Sequence, residues 1–169
     1  MKNNINIAVI GLGQVGIYLL NELNTKKKEI ELKTGKTINV VAVSAKNINK
    51  KRRFKVNKKI FYKNPLEIFN KTKVDILFEA IGMSDGITKK VVETALKNKI
   101  HVITPNKALI SKHGDYLGKL AEDKISTLVL LKISNGFLKN IFLLTLNLLF
   151  LEMLLAETAT TLIFLPVLS

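Results

Sequence analysis

Gly11-Leu12-Gly13-Gln14-Val15-Gly16 has the spacing G-x-G-x-x-G, directly after a short apolar run and directly before a helical pattern. In that setting each glycine has a task. The first permits a tight turn, the second lets a pyrophosphate approach the backbone, and the third lets a helix pack close to a strand. A phosphate held there would meet free N–H groups and the positive end of the helix dipole. The turn therefore predicts a dinucleotide site built from Ile10, Gly11, Leu12, Gly13, Gln14, Val15 and Gly16.

The choice between dinucleotides is read at the end of the second strand, where an Asp or Glu suits a free ribose 2′-OH. This chain has Ser44-Ala45-Lys46 there, followed by Lys50, Lys51, Arg52 and Arg53. A hydroxyl among cations suits a 2′-phosphate, so NADP(H) is expected ahead of NAD(H). Ser44 and Lys46 are the candidate ligands, with one of residues 50–53 reaching in; the other cations of this loop are read as solvated.

Two further strands end in Phe78-Glu79-Ala80-Ile81-Gly82 and in Thr104-Pro105-Asn106-Lys107. Ligands of an open α/β sheet gather at the carboxyl ends of its strands. Ala80, Ile81 and Gly82 are thus expected beside the cofactor, and Lys107 towards its nicotinamide end. Glu79 is read as an acceptor of local hydrogen bonds, and Asp85 as part of the loop and cap before the next helix. Neither His101 nor His113 is read as a base or metal ligand.

These residues need a scaffold, and the apolar periodicity supplies one. Residues 5–10, 38–43, 74–80 and 100–104 are short, apolar and rich in β-branched side chains, as buried strands are. Between them, 14–28, 65–69 and 87–98 read as helices, and another follows to about residue 123, with a possible break at Gly114. Alternating apolar strands and helices predict an α/β fold, a Rossmann-type doubly wound parallel sheet.

Composition narrows the classes. The 169 residues carry 27 Lys or Arg against 13 Asp or Glu, a net charge of +14, and no Cys. Disulfide and thiolate chemistry are excluded, and two isolated His residues make no zinc site. The N-terminus lacks a signal-peptide pattern, so a cytoplasmic protein is expected. Residues 46–63 hold nine basic and no acidic side chains, and should be exposed. A nucleic-acid or membrane-surface protein could use such a segment. The preponderance of Lys, Asn and Ile points instead to AT-rich codons, and neither a nucleic acid nor a membrane is expected as a partner.

Gly11–Gly16, Thr104-Pro105-Asn106-Lys107-Ala108-Leu109 and His113-Gly114-Asp115 together resemble the homoserine dehydrogenase family over residues 5–124. The resemblance implies interconversion of L-homoserine and L-aspartate 4-semialdehyde with NAD(P), in threonine, methionine and isoleucine synthesis. It implies that Lys107 is an active-site lysine near the cofactor. It also implies a second domain that binds homoserine, holds a monovalent cation and forms a homodimer. The motifs of that domain, a Glu ligand and a second Lys near an Asp, are not found in residues 125–169.

That tail is a different kind of sequence: 15 of its 45 residues are Leu, and its only charges are Lys132, Lys139, Glu152 and Glu157. Residues 1–124 are therefore read as the nucleotide-binding domain and 125–169 as a segment replacing the start of the substrate domain. A membrane anchor would need roughly 20 apolar residues in a row, and the uncharged runs 140–151 and 158–169 are too short for that. A dimerising helix would need burial on all sides. A frameshift near residue 125 explains the Leu, Phe and Ile composition directly and is the favoured reading. On this reading the chain alone is inactive. The alternatives are a stand-alone NADP(H)-binding module and a dehydrogenase for another small aldehyde or amino acid.

Overall fold

The structure is a computed structural model that describes residues 4–52, 55–131 and 162–165. The elements run β1 (Asn4–Ile10), α1 (Gln14–Thr25), α2 (Lys27–Thr34), β2 (Thr37–Ser44), β3 (Phe61–Tyr62), α3 (Ile68–Lys71) and β4 (Ile76–Glu79). They continue with α4 (Ile87–Lys97), β5 (His101–Thr104), α5 (Lys107–Lys124), β6 (Leu128–Leu131) and β7 (Leu162–Leu165). The sheet order is β3-β2-β1-β4-β5-β6-β7, and every pairing is parallel.

Successive strand residues point to opposite faces, so each strand feeds two cores. Ile7, Val9 and Phe78 join Leu19, Leu20 and Leu23 of α1 on one face. Ala8, Ile10, Leu77 and Val102 join Val91, Val92, Ala95 and Leu96 of α4, with Leu109, Leu117 and Ala121 of α5, on the other. This is the doubly wound arrangement expected from the sequence. Each of the fully buried leucines contributes about 1.5–3 kcal/mol through removal of apolar surface from water.

Three local differences from the sequence reading have physical causes. The first helix ends at Thr25 rather than near residue 28, and a short second helix follows that buries only Ile30. It is held by Lys27–Glu31 and Glu29–Lys33 ion pairs and stopped by Gly35, whose φ is +66°. α5 runs unbroken through Gly114 and Gly118, because each interior glycine costs only about 1 kcal/mol and the helix buries Leu109, Ile110, Leu117 and Ala121 around them. The sheet also continues past residue 124, with β6 beside β5. Of the tail readings, those concerning residues 132–161 and 166–169 lie outside the described residues. Among the described residues no helix is long and apolar enough to cross a membrane, and no cluster of His, Asp or Glu could hold a metal ion.

His101 ties β5 to β6 at their start: its Nδ1 accepts the Thr127 N–H at 3.1 Å. Burial lowers its pKa below the ordinary 6.5, with Asp75 opposing the shift. The folded state therefore resists a proton that the unfolded chain accepts. Stability from this group is complete above pH 6.5 and is lost as pH falls below it. Denaturant melts between pH 7 and pH 5 should show stability declining towards acid, and the slope should flatten in His101→Gln. An equal slope in both proteins would assign the acid sensitivity elsewhere.

Candidate functional site

The strand order reverses between β1 and β4: the chain runs outward through β2 and β3, then returns to build β4, β5 and β6 on the other side. Loops leaving β1 and β4 diverge there, which opens a crevice at the carboxyl edge of the sheet. A cleft of about 760 Å³ occupies this position. Ile10, Gly11, Leu12 and Gly13 line it from the end of β1, Ser44 to Asn47 from the end of β2, and Ala80 and Ile81 from the end of β4.

Backbone contacts draw these three strand ends together. The Gly11 N–H donates to the Ser44 carbonyl at 2.9 Å, and the Ala80 N–H donates to the Ile10 carbonyl at 2.7 Å. Gly11 has φ +99°, and a Cβ there would lie 2.3 Å from the Ala80 carbonyl carbon. At Gly16 a Cβ would sit 1.9 Å from the Gly11 carbonyl oxygen. Both glycines are required by the fold itself.

Gly13 is different. It is exposed, and nothing lies within 4 Å of where its Cβ would be. It is the N-cap of α1, no side chain caps that helix, and the first turn holds no acidic residue. The helix start thus keeps main-chain donors for an anion, beside a backbone that a pyrophosphate can reach. The residues present fit a dinucleotide. Gln14, Val15 and Gly16 lie in the first turn rather than in the cleft wall; their part is the main chain.

At the end of β2, Ser44 is 2% exposed and lines the cleft. Lys46 and Lys50 are exposed at its rim, with Lys63 from the loop after β3. Arg52 is half-buried and lines the same cleft. The stretch expected to be uniformly exposed is therefore exposed at its lysines but not at this arginine.

Gly82 and Lys107 are exposed and stand outside the cleft wall. Their placement rests on a buried network. The Glu79 carboxylate, 0% exposed, accepts from the Ile81 N–H and from the Thr104 hydroxyl. Thr104 Oγ1 in turn accepts the Asn106 N–H at 3.0 Å. The Asn106 side chain caps α5 by accepting the Leu109 N–H at 3.1 Å, and donates to the Met83 carbonyl at 2.7 Å. Loop 80–83 and the start of α5, where Lys107 stands, are thereby fixed relative to each other.

Glu79 is the local acceptor expected from the sequence. Asp85 is not a cap: Gly86 occupies the N-cap of α4 without a side-chain bond. Asp85 instead pairs with Lys112 at 2.8 Å and His113 at 2.9 Å on α5. Hydrogen bonds from Lys112, then from Ser84 and His113, hold its carboxyl well below the usual carboxylate range. Asn106 had no role assigned from the sequence, yet an Asn just before a helical pattern is a capping signal. Met83 and Pro65 also line the cleft, and no spacing rule marks them.

With this geometry in place, the comparisons with known proteins are specific. Residues 11–130 match the family described as "Homoserine dehydrogenase, NAD binding domain". Homoserine dehydrogenase of Neisseria gonorrhoeae is 32% identical over 118 residues, which cover 70% of this chain and 27% of that protein. The structure of S. aureus homoserine dehydrogenase superposes with a TM-score of 0.69 at 33% identity, covering 74% of this chain and 32% of that one. A hyperthermophilic archaeal homoserine dehydrogenase in complex with NADPH shares the fold, with a TM-score of 0.55 at 21% identity over 74% of this chain and 43% of that one. The chain spans about a quarter to a third of the length of the relatives with 30% identity or more. The chain belongs to the homoserine dehydrogenase family, whose NAD-binding domain it carries from residue 11 to residue 130.

Proposed function

We propose that this chain supplies the NADP(H)-binding half of an oxidoreductase that interconverts L-homoserine and L-aspartate 4-semialdehyde in the cytoplasm. The observation that carries the reading is the glycine turn at the strand-order reversal. Gly11 and Gly16 are closed by the fold, while Gly13 and the uncapped start of α1 are left open towards the cleft. Gly13 and the first-turn amides would hold the pyrophosphate, Ala80 and Ile81 the nicotinamide half, and Ser44 with Lys46 the 2′-phosphate. The bound nicotinamide supplies the hydride acceptor or donor.

The chain's own contribution to the chemistry is Lys107. Set at the first position of α5 by the Asn106 cap, its ammonium is free to approach the substrate oxygen. There the ammonium donates a hydrogen bond to the oxygen as hydride moves and a proton to it when the aldehyde is reduced, and in the oxidation direction the neutral amine takes that proton from the hydroxyl. Substrate binding and homodimer formation belong to the second domain of the family and are expected only where that domain accompanies this one. A cofactor-binding module without turnover is the second reading for residues 11–130, because the cleft they form accounts for cofactor binding alone.

Fluorescence titration with NADPH and NADH tests the cofactor assignment; NADPH should bind more tightly, and binding of neither would refute it. The same chain supplied with homoserine and NADP+ should show no measurable turnover, and measured turnover would overturn the module reading. Gly13→Val should weaken NADPH binding tenfold or more, about 1.4 kcal/mol, with a Tm lowered only by the small loss at the helix N-cap. Gly16→Val should instead destabilise the fold by about 1–3 kcal/mol through overpacking. If the two variants behaved alike, the division between fold and ligand glycines would be wrong.

A further inference from the structure

Arg52 is the most heavily bonded side chain at the cleft. Its Nε–H donates to the Leu12 carbonyl at 3.3 Å, across 40 residues of sequence. Nη1 donates to the Ile48 carbonyl at 3.1 Å and to the Lys50 carbonyl at 2.9 Å. Nη2 donates to the Asn47 carbonyl at 2.6 Å. A guanidinium has five N–H donors, and here four go to main-chain oxygens, one of them in the glycine turn itself.

A phosphate is held by an arginine through two parallel N–H groups on one edge. Arg52 has a single N–H left over, so it offers no such edge without giving up the carbonyls. The lysines beside it are placed differently: Lys46 and Lys50 are exposed on the same rim. Composition does not separate the cations of this loop, but the hydrogen bonds do.

We propose that Arg52 is a positioning residue, a clasp that folds residues 47–50 against Leu12 of the glycine turn and so pre-forms the adenosine end of the cleft. Recognition of the 2′-phosphate falls to Lys46 and Lys50. The clasp needs the planar fork. A lysine keeps the charge but concentrates three donors on one atom, which cannot serve carbonyls on several sides. Charge and clasp are therefore separable by substitution. The inference rests on the NADP(H) reading for its binding consequences, whereas its structural consequence can be measured without any nucleotide.

The test uses the full chain with Arg52→Lys, Arg52→Ala and Lys46→Ala, read by hydrogen exchange without nucleotide and by titration with NADPH and NADH. Both Arg52 variants should speed amide exchange at residues 12–13 and 47–51 about tenfold or more, while β4 and β5 exchange as before. Each should weaken NADPH and NADH by a similar factor, about tenfold, leaving their ratio within about twofold. Lys46→Ala should weaken NADPH alone and leave exchange unchanged. If Arg52→Ala proves unfolded, by faster exchange in β4 and β5, Arg52→Lys is decisive. Loss of NADPH binding alone with unchanged exchange would make Arg52 a phosphate ligand and overturn the proposal. Unchanged exchange with unchanged binding, or full function in Arg52→Lys, would overturn it as well. If the unsubstituted chain binds neither nucleotide, the NADP(H) reading fails, and the exchange data still decide whether the clasp exists.

Discussion

A buried carboxylate must find hydrogen-bond donors, because leaving an anion unsolvated inside a protein costs several kcal/mol. Glu79 sits at the end of β4 with no exposed surface, and that need organises the carboxyl edge of the sheet. One donor is the Ile81 amide, which turns the chain sharply as it leaves β4; the other is the Thr104 hydroxyl at the end of β5. Thr104 then receives the Asn106 amide, and Asn106 reaches back to Met83. The path closes on itself: β4, loop 80–83, the start of α5, β5, and β4 again. Such a circuit holds two loop segments at one distance, which no single strand pairing achieves where the sheet ends. Ala80 and Ile81 face the cleft on one side of it and Lys107 begins α5 on the other. On the proposed reading, a cofactor in the cleft and Lys107 as a proton-handling group need that fixed spacing, since displacements near 1 Å are costly in catalysis.

The parts of this arrangement legible in the sequence are those set by local pattern. The inward set of α4, Val91, Val92, Ala95 and Leu96, repeats at helical spacing and is buried as that spacing requires. Strand interiors such as Ala8, Val9 and Ile10 are apolar on both sides because helices cover both faces. The glycine turn was legible because its spacing directly follows a strand and opens a helix, a setting in which Gly11 and Gly16 meet steric demands of the turn itself. What pattern could not supply was any role that depends on partners distant in the chain. Arg52 and the lysines around it have the same charge; what distinguishes Arg52 is its set of main-chain carbonyl partners, three in its own loop and one, Leu12, brought close by folding. Asp85 precedes a helix as a cap would, yet Lys112 and His113 compete for it more strongly than the helix amides do.

The two glycine classes show how one short motif divides its work. Gly11 and Gly16 answer to the protein: their missing side chains let Ala80 and the turn's own carbonyl come within distances no Cβ tolerates. Gly13 does not, for among the described residues nothing fills the space beside it, and the proposed pyrophosphate site accounts for it. The fold could tolerate a side chain there, with its φ of −77°, so glycine at that position is not explained by packing or by backbone conformation. A dinucleotide phosphate drawn to the open start of α1 does explain it, because only a bare backbone lets the anion reach the amide donors directly. The same reasoning accounts for the missing N-cap. A Ser or Asp at that position in place of Gly13 would stabilise α1 by roughly a few tenths of a kcal/mol, but its oxygen would occupy the donors that a phosphate needs. The helix start is thus less stable than it could be, in the direction that binding an anion requires.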